Sequence, residues 1–183
     1  MHAREDAINL LHEYVSSESL RRHCMAVAIA MEAYAEKYNE NKDKWWICGL
    51  LHDFDYEKHS TIPEHVTEGV KILRKKGYNE DIIEAIQGHA EYLGIPRKTT
   101  MAKCLFAVDE LSGFLVALAK VRQDNFQTMN AESVNKGLKK KGFAAAINRD
   151  DIERGIAELG LGREEHFNTI IDAFRKHSKE LGF

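Results

Sequence analysis

Residues 45–55 read WWICGLLHDFD, an apolar run that ends in His52 and Asp53, with Asp55 two residues further on. A run this apolar is driven into an interior, and it carries its terminal His-Asp pair with it. Burying an isolated aspartate costs roughly several kcal/mol unless the carboxylate is paired, hydrogen-bonded or bound to a cation. The run shows no alternation of the strand type and predicts a helix from about Asp43 to Asp53. Gly49 lies one turn before Asp53 and leaves space on that face.

The segments on either side are also helical in pattern. Upstream, the spacing predicts helices over 4–15 and 18–38, the second with Leu20, Cys24, Val27, Met31, Tyr34 and Tyr38 in one stripe bordered by His23. Downstream, Pro63 at a first-turn position opens a helix over 63–76 that stops at Gly77. Ile82, Ile83, Ile86 and Ala90 mark the next, which ends near Gly94. Helices over 100–121, 131–141, 150–159 and 163–180 complete the chain. No repeat and no alternating strand pattern competes, so the fold expected is an all-α, single-domain helical bundle. The domain spans 1–183, with its functional core at about 20–120 and helices at about 130–180 completing the bundle.

Composition bounds the function. Hydrophobic residues make up 44% of the 183, enough for one stable core, and only two prolines interrupt it. The formal net charge of −3 removes a globally basic surface, so no nucleic-acid polymer is expected as partner. Three cysteines, Cys24, Cys48 and Cys104, form no CxxC pair and suggest neither a disulfide framework nor a thiolate metal site. A reducing cytoplasm fits them. The N-terminus has no basic start followed by an apolar block, and no run approaches spanning length, so no membrane association is expected.

Asp109 repeats the anomaly of Asp53. It lies inside AKCLFAVDELSGFLVALA, on roughly the face of Leu105, Ser112 and Val116. Two inward carboxylates repel one another, and a divalent cation holds both ionised. His23 and His89 stand on or beside apolar faces, and His65 opens the fourth helix. A lone core histidine usually bonds a carbonyl, but here the histidines come from separate helices together with two inward acids. Helical bundles build metal sites in this way. Nitrogen and oxygen donors suit one or two ions of Mn, Fe, Co, Ni or Zn.

The order His23, His52-Asp53, His65, His89, Asp109 resembles the HD superfamily of metal-dependent phosphohydrolases, whose minimal signature is H...HD...D, in its six-ligand dinuclear branch. The resemblance implies that His23, His52, Asp53 and Asp109 hold one metal, and that Asp53 bridges to a second held by His65 and His89 and positions the reacting water. It also implies hydrolysis of a phosphate ester or anhydride in a nucleotide or another small phosphorylated metabolite. Some HD-fold enzymes use the same six ligands as mixed-valent di-iron oxygenases. Non-catalytic regulatory HD modules have degraded ligands, whereas this chain keeps all six.

Further candidates rest on position alone. Arg22 adjoins His23, Lys58 and His59 follow the HD pair, and Lys136 and Lys140 share a predicted helical face. Each is a candidate for substrate phosphate, set against ordinary solvated charge. Asp55 is a candidate proton relay, with a helix-terminal or salt-bridging role as the alternative. The Lys139–Lys141 run reads as a solvated helix face or a lid. The cysteines read as small buried apolar residues, and His2, His12, His166 and His177 receive no role.

Overall fold

The computed structural model describes residues 2–183 and contains no strand among them. Helices α1 (Arg4–Tyr14), α2 (Glu18–Lys37) and α3 (Lys42–Leu51) are followed by α4 (Glu64–Lys75) and α5 (Glu80–His89). Then come a single 3-10 turn (Glu91–Leu93), α6 (Thr100–Lys120), α7 (Ala131–Leu138), α8 (Arg149–Leu159) and α9 (Arg163–Lys176). Several starts are written locally: Ser17 accepts from the Leu20 N–H, Asn41 from that of Lys44 and Thr99 from that of Ala102. These caps satisfy donors that a first turn leaves without partners. No helix among the described residues is long and apolar enough to cross a membrane.

α2 is the axis of the fold. Every residue from Ala26 to Met31 is buried, so the helix is covered on all sides there, and α3, α6 and α9 pack around it. α3 lies unusually close: a Cβ at Gly49 would stand 2.8 Å from both the Ala28 Cα and the Val27 carbonyl oxygen. The space at Gly49 is thus filled by the α2 backbone. α6 in turn packs against α2, α5 and α8, and side chains from all nine of these helices join one buried apolar cluster.

Four expected helix ends shift and one helix contains a break. α5 stops at His89 rather than near Gly94, leaving Ala90 outside it and a 3-10 turn at Glu91–Leu93. α3 stops at Leu51, so His52 and Asp53 begin a series of turns. α7 stops at Leu138, which leaves Lys139 to Lys141 beyond its end rather than on a helix face. α9 stops at Lys176. α4 contains a break at its start, where His65 (φ −52°, ψ 138°) and Val66 (φ 68°, ψ −45°) leave helical geometry. Positive φ on a β-branched residue is strained and persists only where surroundings enforce it.

Candidate metal centre

α2, the turn after α3, the start of α4, the end of α5 and the middle of α6 each deliver a donor to one place. The His23 Nε2 lies 3.2 Å from the His52 Nε2 and 3.0 Å from the Asp109 Oδ1. The His52 Nε2 is 3.4 Å from both the Asp53 Oδ2 and the Asp109 Oδ1. The other carboxylate oxygen of Asp53 faces the opposite way: Oδ1 is 3.2 Å from the His65 Nε2 and 3.3 Å from the His89 Nε2. Asp53 therefore stands between two groups of donors, one oxygen toward each. His23, His52 and Asp109 converge as one set that can hold an ion, and His52, Asp53 and His89 as another.

The outer nitrogens of three of these imidazoles are already fixed. The His52 Nδ1–H donates to the Gly49 carbonyl at 2.8 Å, and that of His89 to the Ile86 carbonyl at 2.5 Å. The His65 Nδ1–H donates to the Asp55 Oδ1 at 3.0 Å. Each bond selects the tautomer whose Nε2 lone pair points inward. Three inward lone pairs beside two carboxylates form a set of acceptors without donors, which a divalent cation satisfies. The donor set thus fits a transition metal.

Charges respond to this crowding. Burial pushes the His52 imidazole down, but Asp53 and Asp109 outweigh it and raise its pKa well above the ordinary value. Burial lowers His65 too, and its bonds to Asp53 and Asp55 bring it up to about 9. The Asp53 carboxyl, pushed up by burial, is drawn well below the carboxylate range by His52, His65 and His89. The two buried carboxylates thus favour positive charge at this place, which is what a bound cation supplies.

The centre forms the floor of an open pocket of about 370 Å³. His52 is buried behind that floor. The walls include Phe106, Glu110 and Asp151, and the rings of Tyr56 and Tyr92 lie 4.9 and 6.5 Å from that of His65. The Tyr92 hydroxyl donates to the His65 carbonyl at 2.8 Å. Burial and neighbouring Asp109 push the Glu110 carboxyl up to about 7, while the Asn148 N–H bonds it. Sequence reasoning missed these groups. A signal existed for two of them: Tyr56 and Tyr92 each follow a donor, Asp53 and His89, by three residues. Asp151 is brought in from α8 by tertiary packing alone.

The other candidates lie elsewhere. Asp55 does not line the pocket. It is buried, with Oδ1 on His65 and Oδ2 accepting from the Val66 and Gly69 N–H groups at 2.8 and 2.9 Å. That geometry is the salt-bridging alternative given for Asp55, with His65 as its partner. None of the five proposed phosphate-binding residues lines the pocket. Arg22, adjacent to His23, points some 100° around α2 and packs by Gly182 in a cleft with α1. Lys58 donates to the Glu13 carbonyl at 3.0 Å and covers the Tyr14 ring. His59 is half-buried at the end of the turns after α3, where its N–H donates to the Asp55 carbonyl. Lys136 and Lys140 are exposed, and Lys140 lies past the end of α7, so no helical face joins them. The cysteines are free and buried, with burial pushing the Cys24 and Cys48 thiols up to about 12 and Cys104 higher still.

Comparison with known proteins agrees with the geometry. The sequence model of the HD domain matches residues 20–113, just over half of the chain. Ribonuclease Y of Oleidesulfovibrio alaskensis is 28% identical over 134 residues, covering 72% of this chain and 25% of that protein. Ribonuclease Y of Nitratidesulfovibrio vulgaris is 30% identical over 111 residues, or 60% and 21%. Ribonuclease Y of Mycoplasmoides gallisepticum is 31% identical over 88 residues, or 40% and 15%. The chain thus spans a quarter or less of these relatives' length. No solved structure matches. The matched region contains all six donors of the centre, and the chain belongs to the HD domain family of metal-dependent phosphohydrolases.

Proposed function

We propose that this protein is a phosphohydrolase that uses a water activated by one or two divalent transition metals to cleave a phosphate ester or anhydride of a small metabolite, with nucleotides as the first class to test. The observation that carries the reading is the split of Asp53, Oδ2 toward His23 and His52 and Oδ1 toward His65 and His89. In this reading His23, His52, Asp53 and Asp109 hold one ion, and Asp53, His65 and His89 hold the other. The metal is one of Mn, Fe, Co, Ni or Zn, on the chemistry of the donors.

Divalent ions in such a set supply acidification of water and neutralisation of phosphoryl charge. The chain's own part is to keep Asp53 ionised and the three Nε2 lone pairs aimed, and to leave an open pocket above them. Phosphoryl transfer asks a protein mainly for such positioning and electrostatics. The thiols nearby are buried and protonated, which disfavours a covalent route. Their free state suits a reducing compartment, and we place the protein in the cytoplasm.

The relatives' shared name favours a second reading, a phosphodiester bond in RNA. A small substrate is preferred because the net charge of −3 and the acid-walled pocket both repel a polyanion. The test is inorganic phosphate release from a panel of nucleotides and phosphate esters, without oxygen, by metal-loaded wild type and Asp53→Ala. Release that disappears in the variant is expected. Shortening of an oligoribonucleotide without phosphate release moves the assignment to a diesterase. Silence across the panel with stoichiometric bound metal refutes hydrolysis, and makes oxygen consumption with bound iron the next assay.

A further inference from the structure

A second recess, about 430 Å³ in volume, lies beside the metal pocket between the start of α2 and the turns after α3. Ser17, Ser19, Leu20, Glu57 and Ser60 wall it, and it shares His23 and Tyr56 with the metal pocket. The two spaces therefore adjoin at His23 and Tyr56, next to the proposed metal ligands. Tyr56 stands where the two spaces join, 46% exposed and edge-on to His65 at 4.9 Å.

The charge of the recess is informative. The start of α2 would ordinarily attract an anion, but Glu57 is already there: its carboxylate accepts from the Ser16 and Ser17 N–H groups at 2.9 and 3.0 Å and from the Ser16 hydroxyl. No lysine or arginine lines either space, and Glu110 and Asp151 occupy the metal pocket's wall. The recess instead offers an aromatic ring and the exposed hydroxyls of Ser19 and Ser60.

We propose that this recess is the subsite for the organic part of the substrate, and that this part is uncharged, ring-containing and hydroxyl-bearing. The proposal rests on the reading of the neighbouring pocket as a phosphohydrolase centre. Its consequence is selectivity: a single phosphoryl group sits over the metal ligands, a neutral group of the nucleoside kind fills the recess, and further phosphates meet Glu110 and Asp151 with no lysine or arginine beside them.

The experiment uses the manganese-loaded protein with adenosine 5′-monophosphate, adenosine 5′-triphosphate and methyl phosphate, in wild type, Tyr56→Ala and Ser19→Trp. Wild type should favour the monophosphate over the triphosphate in kcat/KM. Tyr56→Ala should lower the ratio of kcat/KM for the monophosphate to that for methyl phosphate by about tenfold, the scale of losing a stacked ring, and Ser19→Trp, which fills the recess, should lower the same ratio. Adenosine alone, followed by amide chemical shifts of Ser17, Ser19 and Leu20, reads the recess without any turnover. A triphosphate preference, or equal losses on all three substrates, overturns the subsite. If nothing is hydrolysed but adenosine moves those amides, the phosphohydrolase reading falls and the recess remains as a nucleoside-binding site only. Absence of both hydrolysis and shifts removes both.

Discussion

Asp55 holds His65 by a 3.0 Å bond from the imidazole Nδ1–H, while its other oxygen accepts the backbone N–H groups of Val66 and Gly69. One buried carboxylate thus stabilises the strained start of α4, where Val66 has φ 68°, and aims the His65 Nε2 at Asp53. Gly69 is part of the arrangement, since a Cβ there would come within 2.8 Å of the Asp55 carboxylate. A break that would weaken an ordinary helix here turns a side chain toward the centre.

Asp55→Asn keeps an oxygen for the two backbone donors but turns an NH₂ toward His65. The His65 ring must then accept at Nδ1 and carry its proton at Nε2, facing the site. Metal affinity at the His65 side should drop about 10- to 100-fold, as for other lost partners of a ligating histidine, with little change in Tm. Metal content after dialysis, set beside a thermal melt, measures both, and full retention of metal would refute the positioning role.

Gly49→Ala should destabilise the protein by about 2 kcal/mol or more, because overpacking against backbone is poorly relieved. Its Cβ would strike the Ala28 and Val27 backbone of α2, and α3 ends immediately before the His-Asp pair. Denaturant unfolding gives the stability, and a parallel loss of metal content is expected as α3 is pushed outward. An unchanged midpoint would show that α2 and α3 separate easily.

His166 supplies a pH dependence. It is buried, its Nε2–H donates to the Ala107 carbonyl at 3.1 Å and its Nδ1 accepts from the Tyr34 hydroxyl at 2.5 Å. Burial lowers its pKa from 6.5 to about 4. Between those values the unfolded chain binds the extra proton, so the stability from neutral His166 is complete above pH 6.5 and falls as pH drops toward 4. The loss is at most about 3 kcal/mol. Melts of His166→Gln, which keeps a donor and an acceptor but does not titrate, should show a smaller fall in Tm between pH 7 and 4.5. Parallel curves would assign the acid lability to other groups.

Cys24, Cys48 and Cys104 are buried with raised pKa values, so the folded protein should react with a thiol reagent no faster than it opens. All three should label rapidly in denaturant. Fast labelling of one thiol in native conditions would contradict the burial of its helix.

How far the sequence reaches differs from residue to residue. The periodicity of 18–38 and 100–121 foretold α2 and α6 because an amphipathic or wholly apolar helix writes its burial into its own spacing. The His-Asp pair after WWICGLL and the inward Asp109 were legible for the same reason: an acid on an apolar face needs a partner wherever the chain goes. The Asp55 bonds were not legible, because they depend on a backbone break at His65 and Val66 that no local propensity favours. Nor was the fate of Arg22 and Lys58, since adjacency in sequence does not tell which side of a helix or turn a long side chain takes. The sequence by itself determined the helices, the acids that must be neutralised and the family. Only the tertiary structure decided that Asp53 faces two groups of donors, that Asp151 joins the pocket, and that a recess free of lysine and arginine opens beside it, because each depends on helices remote in sequence meeting at fixed distance and angle.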